Sequence, residues 1–128
     1  MTAPALIALA HGSRDPRSKA TIEALVAETR QMRPDLRIEV AFLDHVRPSF
    51  DTAVNKLVRA RFDEIVVVPL LLSEAFHAKV DVPDVIAQAT ARHAGLQIRA
   101  TKVLGLEHSF LGVLDKRLRE ALSAGEPL

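Results

Sequence analysis

The side chains best suited to chemistry are the histidines, because the chain has five of them and no cysteine. Without cysteine there are no disulfides, thiolate nucleophiles or zinc-thiolate sites, a pattern that fits a reducing compartment. Imidazole changes charge near neutrality and is a common ligand for divalent metals, so it can hold an ion or move a proton. His11 lies in Ala10-His11-Gly12-Ser13-Arg14-Asp15-Pro16, directly after an apolar run. His77 closes Ser73-Glu74-Ala75-Phe76-His77, with Lys79 and Asp81 just beyond. Asp44 and His45 follow a second apolar run, and Gly105, Glu107 and His108 a fourth. His93 is the exception: it falls in the last turn of a helical pattern, where partial positive charge is favoured, and it is assigned no function.

Positioning these residues is the work of four short apolar runs that alternate with four helical patterns. Ala5 to Ala10 is apolar throughout, which suits a central strand covered on both faces. Asp15 and Pro16 then start a helix on which Ile22, Leu25, Val26, Thr29 and Met32 recur at helical spacing, and Pro34 closes it. Leu36 to Leu43 alternates as an edge strand would. A second helix begins near Pro48-Ser49 and is expected to bury Phe50, Ala53, Val54 and Leu57. Ile65 to Leu70 is the most β-branched stretch, and Pro69 should loosen pairing near its end. Asp81-Val82-Pro83 reads as a third helix start with Asp81 as cap, Val85, Ile86 and Ala89 inward, and an end near Gly95. Gln97 to Leu104 is the fourth strand. A last helix from Glu107 to Ser123 carries Phe110, Val113, Leu114, Leu118 and Ala121 on one stripe.

Four strand–helix repeats imply an α/β fold: right-handed crossovers and a parallel sheet with helices on both faces. The expected strand order is 2-1-3-4, with the two most apolar strands central. Ligands then bind beyond the carboxyl ends of the first and third strands, at the switch point. His11 leaves the first strand directly, and His77 can fold back over the third. Imidazole nitrogens ligate at roughly 2.0–2.1 Å, so the two rings could share one ion, or one could bind metal while the other moves protons. Gly12 lets the backbone turn sharply and approach a ligand. His45 and His108 lie farther out. Glu74 is by default a solvated carboxylate; its functional reading is proton transfer or weak ligation beside His77. Arg14, Arg17, Arg47 and Lys79 are by default surface charges, and they are the natural partners of a polycarboxylate substrate.

The 128 residues suit a single domain spanning 1–128, and 48% apolar with 26% charged residues is a globular profile. A formal charge of +1 gives no basic surface for nucleic acid or polybasic anchor. The N-terminus lacks the basic region of a signal peptide, and its apolar run is too short to span a bilayer, so a cytoplasmic protein is expected.

The Ala10–Pro16 segment resembles the opening motif of the sirohydrochlorin chelatases of cobalamin and sirohaem synthesis. Val67 to Pro83, VVPLLLSEAFHAKVDVP, is similar to that family's second signature, and Ala41-Phe42-Leu43 also fits. The resemblance covers nearly the whole chain. It implies a chelatase-like fold in which residues at the positions of His11 and His77 bind the incoming metal. That metal would be cobalt or iron, with nickel also in range, serving as substrate without an organic cofactor. It further implies a tetrapyrrole in the cleft and pairing of short members as homodimers. With metal insertion as the chemistry, a histidine or Glu74 can accept protons, and Gly12, Ser13, Arg14, Arg47 and Lys79 are the residues expected toward the ring carboxylates. Ser73-Glu74-Ala75-Phe76 departs from the glycine-containing turn of many members.

Four other readings are weighed. One is a metal- or tetrapyrrole-binding module without catalysis, and another is one half of a longer chelatase, with Ser123–Leu128 as linker. A histidine phosphatase also places His-Gly after its first strand, but it requires an arginine where this chain has Ala10. A doubly wound nucleotide binder would carry a glycine-rich phosphate loop, which is missing from the sequence.

Overall fold

The computed structural model describes residues 4–44, 46–70, 81–102 and 108–123, with backbone alone for 108–111. Four parallel strands form one sheet in the order β2-β1-β3-β4, as the alternating pattern implies. They are β1 (Ala5–Ala10), β2 (Ile38–Phe42), β3 (Glu64–Pro69) and β4 (Gln97–Ala100); the helices are α1 (Pro16–Met32), α2 (Phe50–Arg59), α3 (Val82–Arg92) and α4 (His108–Ser123). β2 and β4 are shorter than their apolar runs, since each run includes residues outside the ladder.

The larger core lies between the sheet and α2 and α3. Ile7, Leu9, Ile65 and Val67 point from the strands into Val54, Leu57, Ala89 and their neighbours. α2 buries Phe50, Ala53, Val54 and Leu57, the stripe expected from its period. Ser49 caps it by accepting the Thr52 N–H at 3.2 Å. Ser49→Ala is therefore expected to lower stability by about 1 kcal/mol, measured as a shift of the urea midpoint by circular dichroism.

The opposite face is thinner. Ala8, Val26 and Ile38 form a small cluster against α1, with Leu6, Leu36, Val40 and Leu70 at its margin. The apolar stripes of α1 and α4 are largely exposed. On α1 only Val26 is buried, while Leu25 is 49% and Met32 79% exposed. Val113, Leu114 and Leu118 of α4 are 46–53% exposed. Helical spacing puts these residues on one face; it does not supply the surface that would cover it.

Pro69 behaves as its chemistry requires. Toward β1 the ladder continues through the Leu70 N–H to the Leu9 carbonyl at 2.8 Å. Toward β4 the last bond among the described residues runs from Thr101 N–H to the Val67 carbonyl at 2.9 Å. The next donor on that side would be the nitrogen of Pro69, which has no hydrogen. Among the described residues, pairing with β4 stops there.

Candidate functional site at the carboxyl end of the sheet

His11 directly follows the last residue of β1, and β2 fixes its backbone. The Leu43 N–H donates to the Ala10 carbonyl and the Asp44 N–H to the His11 carbonyl, both at 2.9 Å. The strand pairing thus runs on into the two loops, and it holds the His11 and Asp44 backbones side by side.

Gly12 makes that approach possible. Its φ is +100°, in the region L side chains avoid, and a Cβ built there would overlap the Asp44 carbonyl oxygen and sit 3.0 Å from its carbon. The glycine is required by its neighbouring loop, whatever ligand it meets. Beyond it, Ser13 Oγ accepts the Asp15 N–H at 3.1 Å. Asp15 in turn caps α1 by accepting the Arg17 N–H at 3.0 Å. The Arg17 guanidinium, 2.7 Å from Asp15 Oδ2, holds that carboxyl below its ordinary value, so the cap stays ionised near neutrality.

The His11 ring is half-buried, with Nδ1 3.1 Å from the Gly12 carbonyl oxygen. A carbonyl oxygen only accepts, so Nδ1 is the donor in this contact, and in the neutral ring that tautomer leaves Nε2 as the acceptor. This tautomer suits a metal ligand or a proton acceptor, and metal-binding histidines are commonly oriented by such a bond. His11 lines a cavity of about 560 Å³ together with Leu43, Asp44, Asp81, Asp84, Val85 and Gln88. That volume is within the usual range of small-molecule sites.

The α3 wall of this cavity was legible only in part. Asp81 stands at the N-cap position, but its backbone is helical (φ −69°, ψ −40°) and its side chain makes no cap hydrogen bond. The expectation of a cap is corrected: Asp81 lines the cavity. Asp84, Val85 and Gln88 follow it at i+3, i+4 and i+7, one face of a helix. That spacing is visible in the sequence and is the signal by which Asp84 and Gln88 could have been found. Asp44 joins them from the loop after β2. Three carboxylates on the wall favour a cation and disfavour the carboxylates of a ligand.

Arg14 and Arg47 are exposed on the loops after β1 and β2. Glu74, His77, Lys79 and His45 lie outside the described residues, as does the side chain of His108. Among the described residues no three His, Asp or Glu side chains are grouped so as to hold a metal ion. His93 donates Nε2–H to Asn55 Oδ1, 2.9 Å away on α2, so its ring bridges α2 and the end of α3, far from His11 in role.

The fold and site thus define an open α/β protein with a cavity at the carboxyl edge of its sheet. The chain belongs to the CbiX family, whose model matches residues 5–121. It is 33% identical over 82 residues to the sirohydrochlorin cobaltochelatase of Methanopyrus kandleri, covering 64% of this chain and 57% of that protein. A crystal structure of a cobalamin (vitamin B12) biosynthesis CbiX protein from Marinobacter aquaeolei VT8 superposes with TM-score 0.84 at 30% identity, covering 95% of this chain and 99% of that one. The sirohydrochlorin chelatase SirB from Bacillus subtilis subspecies spizizenii, solved in complex with cobalt, gives TM-score 0.86 at 28% identity, over 91% of this chain and 50% of SirB. The chain spans 36–57% of the length of the first three curated relatives it matches.

Proposed function

We propose that the chain is a sirohydrochlorin chelatase, which inserts cobalt or ferrous iron into the tetrapyrrole and serves cobalamin or sirohaem synthesis. The observation that carries this reading is the His11 ring, held by the Gly12 carbonyl beside a cavity on the sheet's carboxyl edge. Family membership and the likeness to cobalt-bound SirB support it.

Metallation exchanges one divalent cation for two pyrrole N–H protons, without redox change. A protein that accelerates it must hold a partly dehydrated ion over the ring and take up the protons. In this reading His11 Nε2 holds the ion and His77 supplies a second imidazole from the segment after β3. Glu74 accepts a proton there. Asp44, Asp81 and Asp84 raise the local cation concentration and offer further acceptors. The ring's own carboxylates are drawn instead to basic side chains outside this wall, Arg14, Arg47 and Lys79, with Gly12 and Ser13 shaping the approach. Nickel fits the same nitrogen donors, and by the Irving–Williams order cellular supply selects among the three metals. A homodimer in the cytoplasm completes the reading. No helix among the described residues is long and apolar enough to cross a membrane.

The test is a spectral metallation assay with sirohydrochlorin and cobalt or ferrous ion. Metallation well above the protein-free rate is expected. Binding of ring or metal with insertion at the uncatalysed rate would instead identify a carrier.

A further inference from the structure

Among the described residues, Glu39 is the charged side chain that the fold buries, at 9% exposure. It sits on the edge strand β2, and cations reach it from both faces of the sheet. Lys56 of α2 places Nζ 3.1 Å from Oε1. Arg37, just before β2, donates Nε to the same oxygen at 3.1 Å. Arg30 of α1 holds a terminal nitrogen 3.7 Å from Oε2 and donates Nε to the Ile38 carbonyl at 2.9 Å.

Three cations therefore converge on one carboxylate. Glu39 neutralises one of them and leaves a local surplus of two positive charges. Two guanidiniums and an ammonium also bring many more N–H donors than one carboxylate and one carbonyl can accept. Arg30, Arg37, Lys56 and Glu39 line a cavity of about 400 Å³ that Pro34, Leu36 and Ile38 complete. It lies at the amino end of β2, whereas His11 and Asp44 stand at the carboxyl ends. The buried carboxylate gathers the cations at a fixed place, so an incoming anion does not have to order three flexible side chains.

We propose that this edge cavity binds a small dianion, a phosphate or a dicarboxylate, between Arg30, Arg37 and Lys56. The charge surplus sets the ligand's charge. The planar donors of the arginines set its form, since guanidinium matches paired oxygens on carboxylate and phosphate. This inference is independent of the metal chemistry at His11.

The experiment is a titration of the ¹⁵N-labelled chain with inorganic phosphate at constant ionic strength, made up with chloride. Saturable amide shifts are expected at Arg30, Arg37, Ile38, Glu39 and Lys56. A parallel titration with succinate separates a phosphate site from a general dianion site. Arg37→Gln and Lys56→Gln should each weaken binding about tenfold, the loss of one charge-assisted bond, while Arg37→Lys retains part of it. Spectra of the variants that overlay the parent away from β2 establish that they fold. His11→Ala should leave the affinity unchanged. Shifts that never saturate for either anion, or that persist undiminished in both glutamine variants, would overturn the proposal.

Discussion

His11→Ala is expected to reduce metallation of sirohydrochlorin by roughly a hundredfold or more, with the far-ultraviolet circular dichroism spectrum unchanged. Orienting groups around a metal ligand are already worth 10- to 100-fold, so the ligand itself should be worth at least that. The fold should tolerate the change. The ring is only half-buried, and its bond goes to the next residue's carbonyl, whereas the backbone at this point is held by β2. His93→Ala is the contrast. It removes a hydrogen bond to Asn55 and costs stability, about 1 kcal/mol, without lowering the rate. Equal activity of the two variants would remove His11 from the mechanism.

Gly12→Ala should damage both stability and activity. The left-handed backbone alone costs an alanine about 1–2 kcal/mol. The added methyl also meets the Asp44 carbonyl, a backbone atom that cannot swing aside. Relief requires the β1–α1 and β2–α2 loops to part, at a further cost of roughly 1–3 kcal/mol by analogy with overpacked cores. Parting them breaks the bond between the His11 carbonyl and Asp44 and displaces the imidazole. Chemical denaturation followed by circular dichroism should show a clearly lowered midpoint, and metallation should fall with it. The chain has no tryptophan or tyrosine, so aromatic fluorescence would not report the transition. A variant of parental stability would mean that the loop contact is not the reason for glycine here.

These two neighbours also mark how far the sequence could be read. The alternation of runs was enough for the 2-1-3-4 sheet, because a period of 3.6 in residues 50–57 and a solid β-branched run in 65–68 have few competing interpretations. Pro69 was legible because a missing N–H has a fixed consequence. Leu25, Met32 and the α4 stripe misled: periodicity assigns residues to a face, and burial depends on a surface elsewhere in the chain or beyond it. Asp81 misled for another reason. Asp-x-Pro is a common way to begin a helix, and the local pattern hid its alignment with Asp84 and Gln88 along one face. The closeness of Gly12 to Asp44 joins residues 32 positions apart, and no local signal carries it.

The outer rim of β2 has a consequence for how copies of this chain can associate. The Ile38 carbonyl faces away from β1 and is already occupied by Arg30, while Lys56 and Arg37 crowd the same margin. A strand from another molecule would find its hydrogen-bonding partner taken and positive charge in its path. Pairing of two molecules into one continuous eight-stranded sheet through this margin is therefore disfavoured. Association helix to helix, or mouth to mouth across the strand ends, leaves these contacts in place.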